Sequence, residues 1–403
     1  MDGLLKLPKH SGTLEGTVDL PLSKSLANRA QILAALYPHL TLNTIPEAED
    51  SYYLAQALSS DQYHLHVGAG GTTLRFATAY WAIQPHALKV LSGTDALNSR
   101  PIAELVDALI ALGADITYEG KDQYPPLRIC GASITCSSLA LGTIKSSQFL
   151  SALMLIGPAL PNGLSLSWES FPSHSYVEMT VAMMKELGFD ITLDENSATI
   201  ASYTATTPRE ISLERDWSAL AFWCEAVALS TSASLFFPGL EPHSLQGDRK
   251  VLDYFEPLGV AHTFTSDGLQ LTKKSTLAYG KLVYNLEQCP DLAQALITTC
   301  FALRQPFEIF GLSTLPNKEC DRLQALVDLA EALGIPIKAT DHSLACTTYP
   351  EKLAALGPRS SREDHRVAMS LAPLSMLMPL SIEHPEVVAK SYPDFWKHWG
   401  QFS

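Results

Sequence analysis

The sequence predicts an α/β protein assembled from repeated helix-and-strand units, and three observations carry that prediction. Four segments share a helix-period run that ends in Leu-Gly and passes into a short alternating stretch: "LVDALIALGADITYEG", "VAMMKELGFDITLDE", "VLDYFEPLGVAHTFTSDG" and "LVDLAEALGIPIKATDH". Their closing leucines, Leu112, Leu187, Leu258 and Leu333, are spaced by 75, 71 and 75 residues. The chain has 403 residues, 46% hydrophobic and 17% charged, enough for two large domains that each bury a core.

Local chemistry justifies each part of the unit. Glycine suits the left-handed residue that closes a helix, and the alternation after it suits a half-buried strand. "YYLAQALSSDQYHLHV" reads as a fifth, clipped copy that lacks the Leu-Gly. So long a period is too large for a solenoid repeat and fits a supersecondary unit used several times.

Composition excludes several functions. A net charge of -14 opposes general nucleic-acid or membrane-surface binding, so basic residues serving an anionic ligand must be concentrated locally. Seven cysteines, Cys130, Cys136, Cys224, Cys289, Cys300, Cys320 and Cys346, form no CxxC pair and read as buried thiols in a reducing compartment. "MDGLLKLPKHSG" has neither a secretory core nor a transit-peptide pattern, and "FLSALMLIGPAL" is too short to cross a bilayer and contains Pro. We therefore expect a soluble, cytoplasmic protein.

The starts of the repeated helices carry the functional signal. They read "SRP" with Arg100, "SHSY" with Ser173 and Tyr176, "QGD" with Gln246 and Asp248, and "NKECDR" with Lys318 and Arg322. Helix N-termini already offer free N–H groups and a positive dipole end, so cations there are misplaced unless an anion joins them. A single such start is an ordinary cap beside a solvated cation; four in register point to anion binding. "LPLSKSLANRAQILAAL" adds Ser23, Lys24, Ser25 and Arg29 at one more helix start.

Taken in order, these motifs resemble the 3-phosphoshikimate 1-carboxyvinyltransferase (EPSP synthase) family. "LPLSKSLANRAQILAAL" is similar to the family's LPGSKSxSNRxLLLAAL, and "GAGGTTLRFATAY" to its GNAGTxxRxLTA stretch. "SRPIAELVDALIALGADI", "SSQFLSALMLIGP", "SHSYVEMTVAMMKELG", "QGD", "NKECDRL", "DHRVAMSLAPLSM" and "KSYPDFW" follow in the family's sequence, covering the chain from about residue 13 onward.

The resemblance implies two similar domains, each of three βαβαββ units (an inside-out α/β barrel), with one unit trimmed. Domain one would comprise 1–22 and 215–403, domain two 23–214, and the active site would lie in the cleft between them. It implies transfer of the enolpyruvyl group of phosphoenolpyruvate to the 5-hydroxyl of shikimate 3-phosphate, by addition and elimination, without metal or organic cofactor, in a monomer. Lys24, Arg100, Arg322, Arg366 and Lys390 would cradle phosphoenolpyruvate, close to the backbone of Gly71 and Thr72. Ser25, Arg29, Ser146, Ser147, Ser173, Tyr176 and Lys318 would bind shikimate 3-phosphate, with Gln148 against the shared pocket. Asp291 is the implied general base, and Glu319 with Lys24 the implied proton carriers. The basic groups of the two domains would repel one another until dianionic substrates draw the domains shut.

Each assignment has a plainer alternative. Asp291, Ser146 and Ser147 could simply cap helices, Glu319 could be a first-turn acid favoured by the dipole, and His365 a structural histidine. The chain also departs from the family pattern at Leu22, Ala69, Gly70, Lys145 and Thr314, where Thr offers a shorter reach than the usual Asn. A rival reading is the related transferase acting on UDP-N-acetylglucosamine. That family has Lys-Asn where this chain has Lys24-Ser25, and a reactive Cys in a loop that here reads "SGTDALNSRP". A second rival is a non-catalytic binder of phosphorylated acids, against which the carboxylates of Asp291 and Glu319 speak.

Overall fold

The structure, a computed structural model, describes residues 3–275 and 280–402. It is a mixed α/β fold and divides into two compact units, Met1–Pro21 with Glu214–Ser403, and Leu22–Leu213.

In the Leu22–Leu213 unit two sheets share one topology. His64–His66 runs parallel to Leu88–Ser92, which pairs antiparallel with Leu127–Cys130, itself antiparallel to Asp115–Tyr118. Ser138–Ala140, Leu164–Ser167, Ser197–Ile200 and Ile191–Leu193 repeat that order. Parallel neighbours need a crossover, supplied by the helices Gly71–Ala82 and Ser147–Ile156. Leu40–Thr41 and Arg209–Glu210 form only a two-stranded parallel sheet. From there the chain runs through the helix Glu49–Ser59 directly to His64–His66, too short a path for a further antiparallel pair.

The other unit uses the same order twice. Thr13–Thr17, Ser232–Pro238, Gly268–Lys273 and Val260–Phe264 make one sheet, and Leu282–Asn285, Phe307–Phe310, Leu344–Cys346 and Lys338–Ala339 the next. A three-stranded sheet joins Arg359–Ser360, Leu380–Glu383 and Leu4–Leu7. Between the sheets lie Trp217–Leu229, buried along its length except at Ser218, and Ala293–Leu303, buried except at Leu303. Helices buried on nearly every side belong in such a core rather than at a surface.

The Leu-Gly helix ends close as their chemistry requires: Gly113, Gly188, Gly259 and Gly334 have φ of 110°, 87°, 88° and 74°. At Gly113 and Gly334 nothing lies within 4 Å of a built Cβ, so backbone conformation alone selects glycine there. One expected helix is broken. "VLDYFEPLG" folds as the short helix Val251–Phe255 between 3-10 turns, because Pro257 has no N–H and its ring crowds the carbonyl one turn back. The cysteine reading also needs correction. Cys224, Cys289, Cys300 and Cys346 are buried, whereas Cys130 at the end of the strand Leu127–Cys130, Cys136 in the irregular segment before Ser138–Ala140, and Cys320 in a bend are partly exposed. Among the described residues no helix is long and apolar enough to cross a membrane.

Candidate active site

In the Leu22–Leu213 unit the candidate residues meet at the N-terminal ends of packed helices. Ser23 caps the helix Lys24–Leu36 by accepting from Leu26 N, which leaves Lys24 in the first turn. Lys24 Nζ donates to Asp50 Oδ2 at 3.0 Å, and Asp50, at 3% exposure, comes from the start of the helix Glu49–Ser59. Arg29 is buried inside the bundle. It donates to Thr180 Oγ1 at 2.7 Å, Ser25 O at 2.7 Å, Ser151 Oγ at 3.2 Å and Tyr176 O at 3.0 Å. All four acceptors are neutral. Burial pulls the Arg29 guanidinium down to about 10, and the Phe76 ring lies 5.5 Å away. Arg29 thus joins three helices, with Ser25 and Tyr176 at its ends.

Gly71 opens the helix Gly71–Ala82, and a Cβ built there would meet Arg75 Nη1 at 2.8 Å and Arg100 Nη1 at 3.0 Å. Two guanidinium heads therefore converge on a helix N-terminus, an arrangement that favours an oxyanion. Gln148 bridges the next helix: its Nε2 donates to Thr72 Oγ1 at 3.0 Å, and its Oε1 accepts from Arg75. Ser146 caps that helix by accepting from Gln148 N at 3.3 Å, and Ser147 is its buried first residue. Ser173 is held at φ 60°, a left-handed conformation that is strained for a residue with a Cβ. Lys145 stays outside this group, its backbone N–H and side chain both directed to Glu104.

In the other unit the candidates form one ion-pair network around Arg322, the first residue of the helix Arg322–Leu333. Its Nε donates to Asp364 Oδ2 at 2.7 Å, Nη2 to Glu319 Oε2 at 2.7 Å, and Nη1 to Asp291 Oδ1 at 2.9 Å. Arg366 Nη2 donates to Asp291 Oδ2 at 2.9 Å, Lys390 Nζ to Glu319 Oε1 at 2.9 Å, and Lys318 Nζ lies 3.2 Å from Asp291 Oδ1. Burial works against the charge on Arg322. Asp364, Glu319 and Asp291 outweigh it, so its pKa sits well above the ordinary arginine value. Asp248 is the buried residue of the 3-10 turn Gly247–Lys250. Burial and then Asp291 raise its carboxyl to about 7, against the lowering effects of Arg366 and of the hydroxyl that Ser218 donates to it.

These positions correct parts of the sequence reading. Asp291, Lys318, Glu319, Arg322, Arg366 and Lys390 stand together, and within this unit Asp291 and Glu319 pair with the cations. Asp291 is a partner of three cations, with its side chain directed to them; it does not cap a helix. His365 is 1% exposed, which fits a structural histidine. Three residues were missed: Asp50, Arg75 and Asp364. Arg75 and Asp364 stand inside quoted motifs, "GAGGTTLRFATAY" and "DHRVAMSLAPLSM", and their charge was the available signal.

Comparison with known proteins gives the arrangement its family. The model of EPSP synthase (3-phosphoshikimate 1-carboxyvinyltransferase) matches residues 46–399. A 3-phosphoshikimate 1-carboxyvinyltransferase of Bacteroides fragilis is 36% identical over 98% of this chain and 96% of its own length. One from Methanoculleus marisnigri is 29% identical over 96% and 97%. A solved EPSP synthase of Acinetobacter baumannii superposes with a TM-score of 0.75 at 20% identity, covering 99% of this chain and 98% of that one. This chain belongs to the EPSP synthase family and is an enzyme.

Proposed function

We propose that this enzyme transfers the enolpyruvyl group of phosphoenolpyruvate to the 5-hydroxyl of shikimate 3-phosphate and releases phosphate, a step of aromatic amino acid biosynthesis carried out in the cytoplasm by a monomer. The observation that carries the assignment is the convergence of Arg75 and Arg100 on Gly71, together with the Arg322 network, in a chain of this family. Both substrates carry a phosphate and a carboxylate, and planar guanidinium groups hold each of these through paired hydrogen bonds.

Lys24, Arg100, Arg322, Arg366 and Lys390 hold phosphoenolpyruvate beside the backbone of Gly71 and Thr72. Ser25, Arg29, Ser146, Ser147, Ser173, Tyr176 and Lys318 hold shikimate 3-phosphate, and Gln148 is fixed between Arg75 and Thr72. In the first half-reaction Asp291 takes the proton of the 5-hydroxyl as its oxygen bonds to C2 of phosphoenolpyruvate. Glu319 or Lys24 delivers a proton to C3, which makes a tetrahedral adduct. In the second, Glu319 or Lys24 takes a proton back from that methyl group as the C2–O bond to phosphate breaks, and the proton held by Asp291 passes to the leaving phosphate, yielding the enol ether and hydrogen phosphate. Among the described residues, four four-stranded sheets of one topology, with one sheet of three strands and one of two, support a reading of six βαβαββ units, three in each domain, one of them cut to two strands.

Carbon-13-labelled phosphoenolpyruvate incubated with shikimate 3-phosphate and the enzyme tests the reading by nuclear magnetic resonance. The methylene label is expected in a new enol ether. Formation of pyruvate alone, or of an ether only when UDP-N-acetylglucosamine is the acceptor, contradicts it.

A further inference from the structure

Arg322 has five N–H groups in one plane, and its donors already face three carboxylates. Nε and Nη2 reach the two oxygens of Asp364, Nη2 also reaches Glu319, and Nη1 reaches Asp291. With a side chain 1% exposed, it has no outward face left for another anion.

The three acids are not equivalent. Asp364 is fully enclosed, and its Oδ1 also accepts from Arg366 N at 2.8 Å, so moving it would undo a helix cap. Glu319 and Asp291 keep 16% and 14% of their side-chain surface open. Each has further cations to turn to, Lys390 for Glu319, and Lys318 and Arg366 for Asp291. We infer that Glu319 and Asp291 hold the ligand's place on Arg322 as internal counter-anions, which an incoming phosphate or carboxylate displaces while Asp364 stays and positions the guanidinium. This rests on the proposed reaction and deepens it, because the displaced groups are the proposed base and proton carrier.

Displacement has a chemical consequence. A carboxylate that loses a guanidinium partner gains proton affinity. Asp291 and Glu319 therefore become effective proton acceptors only once a substrate anion has taken Arg322 from them. Until then the network is electrostatically satisfied and idle. Asp364 touches no substrate and acts by positioning Arg322 and, through its helix cap, Arg366.

Competition has the opposite sign from an ordinary contact. Were Glu319 a group that stabilises the bound substrate, neutralising it would weaken binding. As a competitor for Arg322, its removal tightens binding. The test is calorimetric titration of the full chain with inorganic phosphate and with phosphoenolpyruvate, for wild type, Glu319→Gln and Asp364→Asn, with thermal unfolding measured alongside. Glu319→Gln is expected to bind both anions about three- to tenfold more tightly while kcat falls. Asp364→Asn is expected to bind them about tenfold or more weakly. Equal or weaker binding by a folded Glu319→Gln overturns the inference, and Asp291→Asn, read the same way, decides the matter should that variant fail to fold. Binding is read without turnover. A wild type that makes no enol ether removes the proposed reaction alone, whereas full turnover with untightened Glu319→Gln removes the competition alone.

Discussion

Arg322 and Asp364 meet through two parallel hydrogen bonds, Nε to Oδ2 at 2.7 Å and Nη2 to Oδ1 at 3.2 Å, with neither side chain more than 1% exposed. A fork-to-fork pair of this kind fixes both distance and plane, so every other contact of Arg322 inherits its geometry from Asp364. Removing Asp364 leaves Arg322 with Glu319 and Asp291 but without its fully enclosed partner, and removes the cap at Arg366 N. Asp364→Ala is expected to lower stability by about 3–5 kcal/mol, read by denaturant unfolding, together with a large loss of kcat. Unchanged stability would show that Glu319 and Asp291 suffice to hold the guanidinium.

Gly71 is expected to tolerate alanine in the fold but not in binding. The added Cβ meets the far ends of Arg75 and Arg100, which can swing aside, so stability should change by less than about 1 kcal/mol. Displaced guanidiniums hold phosphoenolpyruvate less well, and its KM should rise about tenfold or more with a smaller change for shikimate 3-phosphate. Steady-state kinetics with each substrate varied in turn provide the measurement. Equal increases in both KM values would contradict the placement of phosphoenolpyruvate beside Gly71.

Ser173 separates strain from function. Its left-handed backbone is easy for glycine, so Ser173→Gly should be neutral or stabilising by up to about 1 kcal/mol, as relief of strain offsets the entropy of the unfolded chain. The same variant loses the hydroxyl assigned to shikimate 3-phosphate, and the KM for that substrate should rise. A destabilised variant with unaltered KM would make Ser173 a purely structural residue.

Glu225 supplies a pH prediction away from the site. It is 0% exposed in the helix Trp217–Leu229, and burial holds its carboxyl well above the usual range, so the folded protein keeps its proton to higher pH than the unfolded chain does. In the unfolded chain it ionises near the ordinary value of 4.5. Above that pH the folded state carries the extra proton, and stability declines as pH rises toward the folded pKa. Glu225→Gln removes this penalty. Its unfolding temperature should exceed that of wild type at pH 8, and the gap should narrow toward pH 5, at about 2–4 °C per kcal/mol for a unit of this size. A gap independent of pH would show that Glu225 does not titrate in this way.

The extent to which the site could be read from sequence follows from the range of each interaction. Helix ends at Gly113 and Gly334, and the caps at Ser23 and Ser146, depend on neighbours a few residues away and were legible. The break at Pro257 is also local, but helical periodicity runs through it in the sequence, and the lost N–H outweighs that periodicity in the fold. Charge at the helix starts pointed to anion chemistry. The partners of those charges did not show, because Asp50 lies 26 residues from Lys24 and Asp364 lies 42 from Arg322. An isolated cation in sequence looks available to a ligand; only tertiary structure reveals that a carboxylate already faces it.

The central claim is that Lys24 and Asp291 act on phosphoenolpyruvate and shikimate 3-phosphate together. Phosphate release with both substrates, measured for wild type, Lys24→Met and Asp291→Asn, tests it most directly. We expect release by the wild type that requires shikimate 3-phosphate and falls by at least about a hundredfold in each variant. Release that persists in both variants, or none in a wild type that binds both substrates, would contradict the account.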